Sequence, residues 1–191
     1  MKPEDTIAIF RQTGALLSGH FELRSGLHSD QFFQCAQVLC HPRIAGRLCD
    51  ALVANMKAAG AVDNIAGVIA PAMGGIVVGH EVARALDVLS IFAEKQDNKL
   101  VLRRNFTINK GCRYVVAEDV ITRGGRVQET IDIVEAAGGV VAAIAVLVDR
   151  SGGKARFSHP TFSLLKMEPV TFEPSVCPLC KQGSTAVHPG S

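Results

Sequence analysis

A mainly parallel α/β sheet flanked by helices is the fold class this sequence predicts, and two observations carry it. Between residues 65 and 150, short apolar runs recur, each followed by a glycine-bearing turn and a helix-like stretch. The runs, at 65–70, 88–93, 113–117 and 140–148, are rich in Val, Ile and Ala and lack clean polar alternation. That is the pattern of strands covered on both faces. Strands alternating with helices in turn argue a parallel sheet.

The intervening segments 76–86 and 126–137 predict helices. Val77, Val78 and Val82 in one, and Ile131 and Val134 in the other, put apolar groups at helical spacing, and Gly138-Gly139 supplies a stop. Two earlier helices are expected over 4–17 and 43–58, each preceded by a proline (Pro3, Pro42) that favours initiation. Ile44, Leu48 and Leu52 form the buried stripe of the second, and Gly60 closes it. Residues 21–37 alternate polar and apolar and predict a small hairpin or hood. Beyond 150 the chain turns polar and Pro/Gly-rich, and its Ser/Pro/Gly tail predicts partial disorder. The 191 residues suit a single domain: a hood at roughly 15–40, a core at roughly 41–150, and a C-terminal extension over 151–191.

Composition narrows the function classes. With 20 Lys plus Arg against 18 Asp plus Glu, the net charge is only +2, which gives no electrostatic footprint for nucleic acid. The longest apolar runs, 66–79 and 138–148, fall short of the roughly 20 residues that span a bilayer. Six cysteines are too sparse for a secreted disulfide framework, and the acidic, proline-bearing start is not a signal peptide. The expectation is a cytoplasmic protein with reduced thiols, no nucleic acid and no membrane.

The chemistry concentrates in Val115-Val116-Ala117-Glu118-Asp119-Val120-Ile121-Thr122-Arg123-Gly124-Gly125-Arg126. An apolar strand runs into two carboxylates, then into a Thr/Gly loop that opens a helix. Backbone N–H groups of such a loop, with the helix N-terminus, form an anion site for a phosphate. Adjacent acids can hold a diol, or a divalent cation through water. A phosphate and a diol held side by side describe a ribose 5-phosphate.

This segment resembles the phosphoribosyl-diphosphate (PRPP) motif of type I phosphoribosyltransferases. Further segments resemble orotate phosphoribosyltransferases in particular: Phe21-Glu22-Leu23-Arg24-Ser25-Gly26, Ser29-Asp30-Gln31-Phe32-Phe33, Pro71-Ala72-Met73-Gly74-Gly75 and Val148-Asp149-Arg150, with Cys177-Pro178-Leu179-Cys180 recurring in one branch. The resemblance implies a type I phosphoribosyltransferase fold with an N-terminal hood and a mobile loop, and transfer of phosphoribose from PRPP to orotate in pyrimidine (UMP) biosynthesis. It implies Mg2+ carried mainly by PRPP, no directly bound metal, and a homodimer.

By the same resemblance, Arg24 and residues 118–126 (Glu118, Asp119, Val120, Ile121, Thr122, Arg123, Gly124, Gly125, Arg126) bind PRPP. Phe32, Phe33, Thr122 and Arg150 bind orotate, whose carboxylate suits a guanidinium. Lys95, Lys99 and Arg103, in the basic segment 94–110, join the acid pair as catalytic groups on a lid, although the histidine common in that loop is missing. Met73-Gly74 replaces the usual Tyr-Lys, Arg126 replaces a Ser or Thr, and Arg24 stands where lysine is common.

Cys177 and Cys180 have metal-ligand spacing, but a structural zinc needs four ligands and no second pair has that spacing. Zinc is not expected there unless folding adds His188, or Cys35 with Cys40. Two rival activities remain open: a purine phosphoribosyltransferase, which has no need of Arg150, and a non-catalytic PRPP sensor, which has no need of the lid.

Overall fold

The structure, a computed structural model, describes residues 1–23, 25–168 and 170–189. In chain order it comprises α1 (Pro3–Gln12), β1 (Leu16–Glu22), β2 (His28–Phe33), α2 (Ala36–Leu39), α3 (Pro42–Ala58), β3 (Ile65–Pro71), α4 (Gly74–Leu86), β4 (Leu89–Gln96) and β5 (Lys99–Leu102). β6 (Arg113–Ile121), α5 (Gly125–Ala136), β7 (Val140–Asp149), β8 (Thr161–Lys166), β9 (Thr171–Phe172) and α6 (Pro178–Lys181) complete it.

The central sheet has the order β5-β4-β3-β6-β7-β8. All neighbours are parallel except β5, which pairs antiparallel with β4. Its inner strands β3, β6 and β7 carry long apolar runs because alternate residues enter two separate cores. Val68, Ala70, Val115, Ala117, Ala143 and Ala145 pack with α3 and α4 in one. Ile69, Tyr114, Val116, Ile144 and Val146 pack with α5 in the other. Over β3, β6 and β7 both faces are covered, so neither needs polar positions.

Several expectations need correction. The first helix ends at Gln12, not at residue 17: Gly14 adopts a left-handed φ of 72°, and Leu16 and Leu17 already belong to β1. Val77 is 41% exposed and is no part of a buried stripe, although Val78 and Val82 are fully buried. The polar extension also carries structure. β8 adds a parallel edge strand to the central sheet, and β9 pairs with β2 to complete a hood of order β1-β2-β9. The tail through residue 189 lies along the hood, where the Val187 N–H donates to the His20 carbonyl (2.8 Å) and the Glu22 N–H to the Val187 carbonyl (2.9 Å). These are backbone contacts, which side-chain composition does not announce.

The basic segment 94–110 is not a purely solvated loop. β4 and β5 form a hairpin that turns at Asp97 and Asn98, both at positive φ. Leu102, Phe106 and Ile108 then pack against the second core, with Phe106 edge-on to Phe92.

Candidate active site

β3 is flanked by β4 on one side and β6 on the other, so the chain leaves the sheet in different directions at these neighbouring strand ends. A crevice at the carboxyl end of the sheet is the result, the usual ligand site of open α/β folds. Two adjoining cavities occupy it, of about 830 and 300 Å³, sharing Glu118, Val120, Thr122, Arg123 and Arg126.

The acid pair ends β6. Glu118 is only 3% exposed, whereas Asp119 is half-buried. The Asp119 N–H donates to Glu118 Oε1 (3.1 Å), and the Val120 N–H to Asp119 Oδ1 (2.8 Å). Opposite lies the first turn of α4. A Cβ at Gly74 would fall 3.0 Å from Asp119 Oδ2, and one at Gly75 would fall 3.0 Å from Glu118 Oε1. Glycine at both positions lets the positive end of that helix approach the carboxyl groups.

Burial, then the neighbouring charge and side-chain hydrogen bond of Asp119, push the Glu118 carboxyl up from 4.5 to about 9, with the Asp119 backbone N–H and then Arg126 pulling the other way. At neutral pH Glu118 is therefore a proton donor next to an acceptor. The native state holds this proton more tightly than the unfolded chain does. Its contribution to stability is therefore fully present below about pH 4.5 and is lost as pH rises through about 9. Glu118→Gln should match the parent near pH 4 and exceed it near pH 9 by on the order of 1–3 kcal/mol in thermal or denaturant unfolding. An equal difference at both pH values would assign the effect to packing.

The phosphate side is the turn from β6 into α5. Gly124 caps α5 at φ 80°, and a Cβ there would strike the Phe157 ring at 2.8 Å, so this position requires glycine twice over. Gly125 faces open space. Thr122, Arg123 and Arg126 are exposed on the cavity wall. Ile121 packs into the second core, so only its backbone is available to a ligand.

On the other side, Arg150 follows β7. Its N–H donates to the Ile121 carbonyl (2.8 Å), which ties the two strand ends together. The guanidinium lies 5.8 Å from the centre of the Phe33 ring, and its buried Nε has no hydrogen-bond partner. Asp149 does not neutralise it: Asp149 Oδ1 accepts from the Ser151 N–H (2.9 Å), and no ion pair among the described residues involves Arg150. Burial lowers its pKa, the mark of a desolvated cation awaiting an anion. Phe33 is buried against Phe10, while Phe32 is half-buried and, like Phe33, lines the larger cavity.

The fold thus gathers Glu118, Asp119, Val120, Thr122, Arg123, Arg126, Phe32, Phe33 and Arg150 around one cavity. Lys95, Lys99 and Arg103 line neither cavity; they sit on the β4–β5 hairpin, where Arg103 and Arg104 face Glu94 at 3.8 and 2.7 Å. Arg24 lies outside the described residues. Motif reading overlooks Cys35, whose Sγ lies 3.7 Å from the Asp119 carbonyl, and His188, whose Nδ1 donates to the Glu22 carbonyl (3.0 Å). Both line the larger cavity. The position of Cys35 immediately after Phe32-Phe33-Gln34 is a usable signal; His188 arrives by tertiary folding and has none.

A parallel α/β sheet with a glycine-rich phosphate turn, an acid pair and a covering hood defines a phosphoribosyltransferase type of site. Residues 37–179 match the model of the phosphoribosyl transferase domain. Orotate phosphoribosyltransferases of Desulforamulus reducens and Heliobacterium modesticaldum are 50% and 49% identical over 191 residues, covering all of this chain and 98% and 99% of theirs. Among solved structures, orotate phosphoribosyltransferase from Aeropyrum pernix matches with a TM-score of 0.65 at 25% identity, over 84% of this chain and 93% of that one. Adenine phosphoribosyltransferase from Rhodothermus marinus also reaches 0.65, at 21% identity and over 84% and 99%, which is likeness of fold. The chain belongs to the phosphoribosyltransferase family, in its orotate phosphoribosyltransferase branch.

Proposed function

We propose that this protein transfers the phosphoribosyl group of PRPP to orotate, giving orotidine 5'-phosphate and diphosphate in pyrimidine biosynthesis. The observation that carries this reading is Arg150: a partly buried guanidinium on an aromatic face, without a carboxylate partner of its own, across the cavity from the phosphate turn. A purine base offers no carboxylate to it. Turnover assays with orotate, adenine, hypoxanthine and xanthine test the assignment, and use of a purine in place of orotate would overturn it.

The N1–C1' bond forms as the C1'–O bond to diphosphate breaks, with the electron pair leaving on diphosphate and the N1 proton passing to water or the leaving group. No covalent enzyme intermediate is required, so catalysis rests on positioning and electrostatics. Residues 122–126 hold the 5-phosphate through backbone N–H groups and the cations Arg123 and Arg126. Protonated Glu118 donates to one ribose hydroxyl and Asp119 accepts from the other. The negative charge of Asp119 also favours the positive character that develops at C1'. Phe32 and Phe33 border the flat pyrimidine, and Thr122 reaches both substrates. Arg24 would add a PRPP contact.

Mg2+ fits the hard oxygen of Asp119 and would enter mainly on PRPP, where it would neutralise the diphosphate. Lys95, Lys99 and Arg103 are exposed and away from this chain's own cavity, which favours their acting on diphosphate across a homodimer. Amide exchange over residues 97–105 should slow when PRPP and orotate saturate the enzyme. Unchanged exchange would remove the hairpin from closure. No helix among the described residues is long and apolar enough to cross a membrane, and a cytoplasmic location is consistent with the free thiols.

A further inference from the structure

We infer that His20, His28, Cys177 and Cys180 bind a structural zinc ion that clamps the C-terminal arm onto the hood. One ligating atom from each residue lies within 4.8 Å of the other three. His20 Nε2 is 2.9 Å from His28 Nδ1 and 3.6 and 3.7 Å from the sulfurs of Cys177 and Cys180, and Cys180 Sγ is 3.3 Å from His28 Nδ1. A tetrahedral zinc with Zn–N of about 2.0–2.1 Å and Zn–S of about 2.3 Å requires edges of about 3.3 Å between nitrogens, about 3.6 Å between nitrogen and sulfur, and about 3.8 Å between sulfurs. The four separations given above, 2.9 to 3.7 Å, stand near those spacings, and the remaining two lie within 4.8 Å.

The surroundings fit the same ion. His20 Nδ1 lies 3.1 Å from the Ser184 carbonyl oxygen, which can only accept, so Nδ1 carries the proton and Nε2 presents its lone pair to the cluster. This is the outer hydrogen bond that commonly fixes the tautomer of a metal-bound histidine. His20, His28 and Cys177 are buried, at 6%, 9% and 0% exposed. Two neutral imidazoles and two thiolates around a dication sum to zero charge, which suits burial. Two sulfurs and two nitrogens in a closed tetrahedron select zinc and leave no position for a substrate.

The chain reaches this arrangement from two distant places. His20 stands two residues before Glu22, which pairs with His28 across the β1–β2 hairpin, so both imidazoles meet on one side of it. Cys177 precedes α6 and Cys180 lies in its single turn, which brings the sulfurs together. Neither His188, Cys35 nor Cys40 belongs to the cluster. The hood is a three-stranded sheet whose last strand has two residues, the kind of small structure that a bound metal stabilises. Downstream of the clamp, Val187 bridges to Phe21, and His188 closes the cavity wall beside Glu22.

Metal analysis of the untagged full-length protein, purified with reductant and without chelator from zinc-supplemented cells, should find about one zinc per chain. Cys40→Ser should keep it, whereas Cys180→Ser and His28→Gln should lose nearly all of it. Should those variants fail to fold, cobalt exchanged into the parent protein gives a second readout: visible bands of tetrahedral Co(II) with a sulfur-to-cobalt charge-transfer band. Stripping the zinc with a thiol-directed mercurial should lower the melting temperature, and restoring thiol and zinc should recover it. A parent protein without metal, a Cys177–Cys180 disulfide, six-coordinate cobalt without sulfur bands, or zinc retained in folded Cys180→Ser would each overturn the site. None of these readouts depends on orotate turnover.

Discussion

Asp119→Asn should reduce turnover by roughly 10²- to 10³-fold, the usual cost of removing one preorganised electrostatic group from a reacting centre, while leaving the fold in place. Asparagine keeps the Oδ1 that accepts the Val120 N–H, so the end of β6 retains its local geometry. It loses the negative charge facing the developing cation. Asp119 is also one of the causes that raise the Glu118 pKa, so the variant should ionise Glu118 at lower pH and shift the stability profile accordingly. Turnover and unfolding, measured on the same preparation, separate the two effects. Near-normal turnover in a folded variant would remove the acid pair from the mechanism.

Arg150→Lys should weaken orotate binding by on the order of 1–3 kcal/mol, roughly 5- to 150-fold, the range for a charge-assisted hydrogen bond in a site where the partner is left under-satisfied. Lysine keeps one charge but not the planar fork, and it cannot reproduce the guanidinium's place over Phe33. PRPP affinity should change little, because the phosphate turn lies at the end of β6 and Arg150 at the end of β7. Separate titrations of the two substrates decide the matter. A drop in PRPP affinity with orotate binding unchanged would move Arg150 to the phosphate side.

The four inner strands of the central sheet are legible in the sequence because they are short and rich in apolar residues with periodic helices between them, whereas the edge strands β5 and β8 carry polar positions and are not. The catalytic segment is legible for a related reason. Glu118, Asp119, Thr122, Gly124 and Gly125 fall within eight residues, so the strand end, acids, phosphate turn and helix start are written in one short segment. The end of the first helix is harder to place, because residues 4–17 remain apolar and helix-compatible past Gln12. A left-handed glycine and the pairing of β1 with β2 decide the boundary.

What the sequence by itself determined is the local chemistry: a buried parallel sheet, a phosphate turn beside two acids, and an arginine at a strand end. Tertiary structure alone decided the state of those groups. Proximity and desolvation raise Glu118, leave Arg150 without a partner, and set the hairpin cations apart from this chain's cavity. The metal cluster shows the division most clearly. Sequence spacing could reveal only the Cys177–Cys180 pair, since ligands on one turn of chain leave a spacing signature and ligands 157 residues apart, such as His20 and Cys177, do not. Their meeting depends on the C-terminal arm returning to the hood through backbone hydrogen bonds, which any residue but proline can donate and which therefore leave no mark in composition.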